Sequence, residues 1–334
     1  MADPTEPIKR PHVLVLYALG RSRVEDQDVH VQGNNDIWRL LDPGRYQVDR
    51  LILRPERMAM IKAMDLARYD VVINAISDPD VNADGLDLAE HLCRDLNRPV
   101  INHPKAVRQT DRAQVAQALS DIDGLVVPQV LKKTGQELIE KPLDDRLPWP
   151  LLLRPVGRHG AVDLHRVDTQ EALAEAVPTT ALDQDFYLTQ FVDFRRAEGR
   201  YWKTRLMIID GEPMVRHVVI SDHWISNMTQ HDQQVIDADK TLAEETQEMQ
   251  QAQAFFTSQA GRQMVKMITE GLRLDYIGMD CSRLDDGRWL VFEANAAMNM
   301  LPLSEPQAPI YIDIVRMIAR MTARMVDNRL ASAG

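Results

Sequence analysis

The first hundred residues alternate short apolar runs with polar stretches at helical spacing. The runs are HVLVLYAL, YQVDRLIL, YDVVINAI and PVIN, which begin at His12, Tyr46, Tyr69 and Pro99. Each is separated from the next by room for a helix, a rhythm that predicts βαβ units and a parallel sheet. Gly85 to Leu96 places apolar residues on one helical face, and Ile61 to Ala67 predicts a shorter helical piece. Thr110 to Leu119 reads as a helix with Thr110 as its cap and Asp111 in its first turn. Strands are predicted at Leu125 to Val130, Leu151 to Arg154, Phe186 to Val192 and Trp202 to Ile209. Residues 240 to 272 are rich in Glu and Gln with apolar punctuation, as expected of one or two helices covering a sheet. Two further strands, Tyr276 to Leu284 and Arg288 to Asn295, flank the turn residues Asp285, Asp286 and Gly287. Ile312 to Leu330 is amphipathic, with Arg316, Arg320 and Arg324 on one stripe, and its Met stripe reads as core or as a homodimer surface.

Composition narrows the class. With 334 residues, 45% apolar and 27% charged, the chain is expected to hold two or three subdomains of an ordinary globular protein. No apolar run approaches the roughly 20 residues of a membrane span, and Val13 to Leu19 is too short for a signal segment, so a cytoplasmic protein is expected. Cys93 and Cys281 have neither metal-ligand nor disulfide spacing and read as small buried hydrophobes. A net charge of -11 argues against a nucleic-acid duplex as partner, though not against a nucleotide held in a local basic pocket. There is no G-x-G-x-x-G, and His217, His223 and His231 lack the companions of a zinc site.

The predicted hairpin near the C-terminus carries the clearest chemistry. If Asp286-Gly287 forms a two-residue turn, Asp280 lies opposite Glu293, and strand alternation points Asn295 the same way as Glu293. Two acids and an amide oxygen then converge. Facing carboxylates repel and call for a compensating cation, and hard oxygen ligands suit magnesium held together with substrate phosphates. The alternative is a pair of solvated acids on an ordinary hairpin, but Glu293 follows Trp289, Leu290, Val291 and Phe292 and precedes Ala294, poor company for a surface acid.

This Asp followed by Glu-x-Asn resembles the metal-binding end of the ATP-grasp ligases, a superfamily that includes D-alanine ligases, glutathione synthetases and RimK-type glutamate ligases. The resemblance runs from about Val13 to about Leu303. It implies an α/β chain with an α+β lid, in which an ATP-grasp fold is preceded by a parallel-sheet pre-ATP-grasp domain. The implied divisions are 1–105, a lid subdomain over 106–190, and a C-terminal subdomain with the metal site over 191–334. ATP and Mg²⁺ are the implied cofactors, with Asp280, Glu293 and Asn295 as metal ligands. Arg112, after the Asn102-His103-Pro104 turn, and Arg154 stand where the family has phosphate-contacting lysines. Gly157, Arg158 and Gly160 match a glycine-rich lid over the phosphates; a plain surface turn is the alternative. Gln190 and Val192 correspond to the backbone at the adenine edge, Glu198 to the ribose contact, and Lys203 to a further nucleotide contact. Arg205 corresponds to an arginine that stabilises an acyl phosphate or tetrahedral intermediate. For Lys203 and Arg205 the alternative is two solvated charges on an edge strand. Ser226-Asn227 resembles an element near the substrate. The loops around Arg21, Asp78, Asp80 and Asn227 are expected on the acceptor side.

The family reaction transfers the γ-phosphoryl group of ATP to a carboxylate, after which an amine displaces phosphate. Both nucleotide lysines are arginines here, which keeps charge but changes geometry. Gly278 stands where some amino-acid ligases carry an Arg, which leans toward the RimK-like branch. Three activities follow from the resemblance: an ADP-forming ligase acting on small-molecule or peptide carboxylates and amines, an ATP-grasp phosphotransferase, and a catalytically weak nucleotide-binding regulatory module.

Overall fold

The computed structural model describes residues 10–19, 33–141, 143, 147–225, 238–298 and 309–332. Arg21, Ser226, Asn227 and His231 lie outside the described residues. The chain divides into two compact units, one of residues 1–108, 274–276 and 299–334, the other of 109–273 and 277–298.

In the first unit, β1 (His12–Ala18), β2 (Gln47–Leu53), β3 (Val71–Asn74) and β4 (Val100–Ile101) form a parallel sheet in the order β2-β1-β3-β4. β1 and β3 are interior strands with both faces covered, which is why they read as unbroken apolar runs. The helix Ala83–Leu96 buries Leu86, Ala89, Leu92 and Cys93 and stops at Asn97, in a left-handed conformation. The helical piece expected at 61–67 lies earlier, at Met58–Lys62. Beyond its end Asp65 keeps the chain in a turn, its side chain accepting from the Ala67 N–H.

Asn102 ties the turn before Pro104 to the segment at 274–276. Its Oδ1 accepts from the Asp275 and Tyr276 N–H groups at 2.7 and 3.1 Å, and its Nδ2 donates to the Tyr276 carbonyl at 3.1 Å. The terminal helix, Pro309–Ala331, belongs to this unit. Ile318, Met325 and Val326 are its fully buried stripe, the helix packs on β3 and β4, and Asp327 accepts from the Tyr46 hydroxyl at 2.7 Å.

The second unit holds two sheets. The strand expected over Leu125 to Val130 is two strands, β5 (Leu125–Val126) and β6 (Val130–Thr134), which enter different sheets. Pro128 between them has no N–H to give a ladder, so pairing breaks there. β6 joins β7 (Leu151–Pro155), β8 (His165–Val167) and β9 (Asp185–Gln190) in the order β6-β9-β7-β8. Leu138, Leu151, Leu153, Leu173, Phe186 and Leu188 are among the side chains of its core.

The other sheet runs β11-β10-β12-β13-β5, with β10 (Tyr201–Ile209), β11 (Glu212–Ser221), β12 (Tyr276–Arg283) and β13 (Trp289–Asn295). β10 is therefore interior, not an edge. β10 and β11 are joined by Asp210-Gly211, both at positive φ (52° and 77°), the chemistry of a tight hairpin. The helices Ala238–Thr257 and Gln259–Leu272 meet at Ser258, whose Oγ caps the second by accepting from the Gly261 N–H.

Candidate active site

The β12–β13 hairpin reaches the expected pairing by an unexpected route. Its loop has three residues, not two: the Leu284 N–H donates to the Arg288 carbonyl and the Gly287 N–H to that of Leu284, with Gly287 at φ 87°. That loop alone would set Asp280 opposite Phe292. A β-bulge intervenes, since Cys281 pairs with Val291 whereas Asp280 pairs with Glu293. Phe292 is the extra residue, and it turns Glu293 onto the face of Asp280. Asn295 shares that face, its Nδ2 donating to Glu293 Oε1 at 2.6 Å.

Basic side chains meet these carboxylates from three directions. β10 supplies Lys203 and Arg205 from alternate positions, so both project to one side. Arg205 grips Asp280 with two bonds, Nε to Oδ1 at 2.8 Å and Nη2 to Oδ2 at 3.0 Å, and Lys203 Nζ lies 2.7 Å from Oδ2. The helix Arg112–Leu119 supplies Arg112 from its first position; its cap is Asp111, which accepts from the Gln114 N–H, and not Thr110. Arg112 Nη2 donates to Glu293 Oε2 at 2.9 Å. The loop between β7 and β8 supplies His159, whose Nδ1 is 3.8 Å from Glu293 Oε1. His159 was not anticipated, although its place in Gly157-Arg158-His159-Gly160 marks it.

Arg154, on β7, differs from the other cations. Among the described residues it makes no ion pair; Nη1 reaches only the Arg158 carbonyl at 3.5 Å, and its buried Nε has no acceptor. Burial, reinforced by Arg112 and opposed by Glu293, pushes its guanidinium down to about 10, so it stays charged at neutral pH. Burial works against the charge of Asp280, yet Lys203 and Arg205 outweigh it and hold the carboxyl far below the usual range. Glu293 is depressed in the same way, with Arg112, His159 and Arg154 prevailing over desolvation. His217 faces Arg205 across the β10–β11 pair. Its burial, then Arg205 and Arg216, keep the imidazole neutral. A row of His217, Arg205, Asp280 and Glu293 thus crosses four strands.

Other expected residues stand apart from this cluster. Arg158 is exposed and turned to Asp163 in its own loop, at 3.5 Å. Glu198 is exposed in the tight turn that the Arg196 N–H closes onto the Arg200 carbonyl, and among the described residues no hydrogen bond or ion pair joins it to the cluster. The Gln190 N–H donates to the Gln129 carbonyl, so that amide is already committed, and Val192 follows the end of β9, packed near Phe194. Gly157 and Gly160 sit at φ 78° and 65° in the β7–β8 loop, with open space around Gly160. Gly278 is pressed against Met298, with no room for a side chain. Asp78 and Asp80 lie in the first unit, where Asp78 Oδ1 accepts from the Asp80 N–H at 2.9 Å.

The donor set suits magnesium in kind, being two carboxylates and an amide oxygen. Each of those oxygens already has a partner: Asp280 with Arg205 and Lys203, Glu293 with Arg112 and Asn295, and Asn295 Oδ1 with the Ala297 N–H at 2.8 Å. The repulsion between the facing acids is therefore answered by the protein's own cations.

A parallel four-stranded sheet, a four-stranded antiparallel sheet with a glycine-bearing loop, and a five-stranded sheet bearing paired acids make up the ATP-grasp fold. Solved structures agree with it over nearly the whole chain. A D-alanine–D-alanine ligase from Bacillus anthracis complexed with ATP matches with a TM-score of 0.55 at 14% identity, covering 96% of this chain and 98% of that one. The VanG D-Ala:D-Ser ligase from Enterococcus faecalis matches with a TM-score of 0.56 at 12% identity, covering 96% and 100%. A carboxyaminoimidazole ribonucleotide synthase from Aspergillus clavatus, also complexed with ATP, matches with a TM-score of 0.50 at 15% identity, covering 87% and 71%. No protein-family model matches the sequence, and no curated protein does. Among the described residues, no helix is long and apolar enough to cross a membrane.

Proposed function

We propose that this chain is an ATP-dependent carboxylate–amine ligase that releases ADP through an acyl phosphate. The observation that carries this reading is the convergence of Arg112, Arg154, Lys203 and Arg205 on Asp280, Glu293 and Asn295 within an ATP-grasp fold. Phosphoryl transfer asks little covalent chemistry of a protein and much positioning and charge neutralisation. Arg112 and Arg154 bind phosphate oxygens, their planar guanidinium groups offering paired donors. Asp280, Glu293 and Asn295 would hold Mg²⁺, which when bound neutralises charge on the phosphates. Arg205 stabilises the oxyanion of the intermediate, and the loop from Gly157 to Val162 covers the site so that water does not hydrolyse the acyl phosphate. The crowding of Gly278 by Met298 excludes an arginine there, which supports a RimK-like branch over the D-alanine ligases.

The test is a coupled assay for phosphate release across pairs of amino acids and short peptides. Release that requires both a carboxylate and an amine, accompanied by an amide product, is the expected result. A stable phosphorylated product from a single substrate would make the chain a phosphotransferase instead. Tight ATP binding with no turnover for any pair would favour the regulatory module.

A further inference from the structure

We propose that the Asp280–Glu293 cluster is first of all a polyphosphate site, which takes the nucleotide's phosphates without magnesium and accepts magnesium only after them. This deepens the nucleotide reading above and rests on it. Four permanent cations, Lys203, Arg205, Arg112 and Arg154, face two carboxylates, so the cluster is net positive before any ligand arrives. A lone divalent cation meets that surplus charge and finds each carboxylate oxygen of Asp280 and Glu293 already accepting from a donor of the protein. Asp280 holds three donor bonds from Arg205 and Lys203, and Glu293 is held by Arg112 and Asn295.

A phosphate chain meets the opposite situation. The buried Nε of Arg154 has no acceptor, and a buried donor left unpaired is costly, so an incoming phosphate oxygen gains a bond that the protein alone does not make. Arg112, Lys203 and Arg205 can then exchange a carboxylate partner for a phosphate one, because a guanidinium fits either anion. Asp280 and Glu293 act until then as internal placeholders that keep the cations in position. Once phosphate has drawn the cations, the same carboxylates are left facing each other and only then have reason to recruit a metal. The order of binding follows from charge and from which donors are already satisfied.

Calorimetry on the full chain tests this with three titrants: ATP in excess EDTA, ATP with Mg²⁺, and Mg²⁺ alone. ATP is expected to bind in EDTA within about tenfold of its affinity with magnesium, more weakly as salt rises, and in competition with inorganic tripolyphosphate. Mg²⁺ alone is expected to give no heat, and the electron paramagnetic signal of added Mn²⁺ to remain that of the free ion until ATP is present. Arg154→Gln breaks no ion pair among the described residues, so the fold is expected to be retained, and it should weaken metal-free ATP binding by about tenfold or more. Asp280→Asn, where it folds, should bind ATP in EDTA at least as tightly as the native chain. ATP binding only in the presence of magnesium, or Mn²⁺ captured without nucleotide, would overturn the inference and leave the ligase reading standing. Tripolyphosphate binding without any ATP binding would keep the anion site and remove the nucleotide reading. Failure of both to bind would remove both.

Discussion

Asp280 concentrates the electrostatics of the second unit in one side chain, only 5% exposed and shared between Lys203 and Arg205. Holding two partly buried cations beside a buried carboxylate is tolerable only while all three remain charged and bonded. Asp280→Asn keeps the size and removes the counter-charge, leaving two adjacent, partly buried cations. We predict a loss of about 3–5 kcal/mol in unfolding free energy, read from urea denaturation. A loss below about 1 kcal/mol would mean that these pairs behave as surface pairs do. This residue was legible in the sequence, because an acid in an apolar strand opposite another acid needs an explanation. Its partners were only half legible. Lys203 and Arg205 were recognised as sharing a face, but that they would neutralise Asp280 depends on β10 and β12 being neighbours, which no local pattern encodes.

At the level of elements, two glycines show how differently the same residue is required. Gly211 closes the β10–β11 turn at φ 77° with nothing near the position of a Cβ, so Gly211→Ala adds backbone strain alone. Gly278, inside β12, has no unusual φ, but a Cβ would run into Met298. Gly211→Ala should cost about 1–2 kcal/mol, and Gly278→Ala about 1–3 kcal/mol through overpacking. The two are separable by combining each with Met298→Gly, which removes the Met298 Cβ that the added one would meet first, in thermal melts. Trimming Met298 should partly relieve Gly278→Ala and leave the Gly211→Ala cost unchanged; equal responses would refute the distinction. The hairpin of β12 and β13 carries a related lesson. The pairing of Asp280 with Glu293 was anticipated from a two-residue turn, whereas the loop has three residues and the bulge at Phe292 restores the register. Alternation alone cannot reveal a bulge, because the extra residue changes the phase without changing the residue types.

Across the whole molecule, the buried phenols that resist ionisation lie in the first unit and the two carboxylates of the cluster that resist protonation lie in the second, where burial also raises the Cys281 thiol. In the first unit, burial raises the hydroxyls of Tyr17, Tyr46, Tyr69 and Tyr276, and desolvation lifts the Cys93 thiol to about 12. A phenol whose pKa is raised on folding contributes stability that is complete below its unfolded value of about 10 and is lost as pH rises beyond it. In the second unit, Asp280 and Glu293 are depressed, so their contribution is complete above the unfolded value of about 4 and is lost as pH falls below it. We predict that alkaline unfolding begins with tyrosinate absorbance from the first unit. Acid unfolding should begin in the second, followed by exchange of its amide hydrogens. Protection lost first from β12 and β13 at high pH, or first from β1 and β3 at low pH, would refute this division.

The sequence by itself determined the local elements and their chemistry. Apolar runs at His12, Gln47 and Val71 became parallel strands, and Tyr276–Arg283 and Trp289–Asn295 became a hairpin, since burial and alternation are properties of neighbouring residues, whereas the facing of its acids needed the bulge as well. Only the tertiary structure decided what lies beside those acids. Arg112 is 181 residues from Glu293, and Arg205 is 75 from Asp280. The terminal helix joins a sheet that begins at His12, because its stripe of Ile318, Met325 and Val326 is covered there. A charge written in the sequence has no sign of its partner, and whether a carboxylate waits for a metal or is already held by an arginine depends on which strands the folded chain brings side by side.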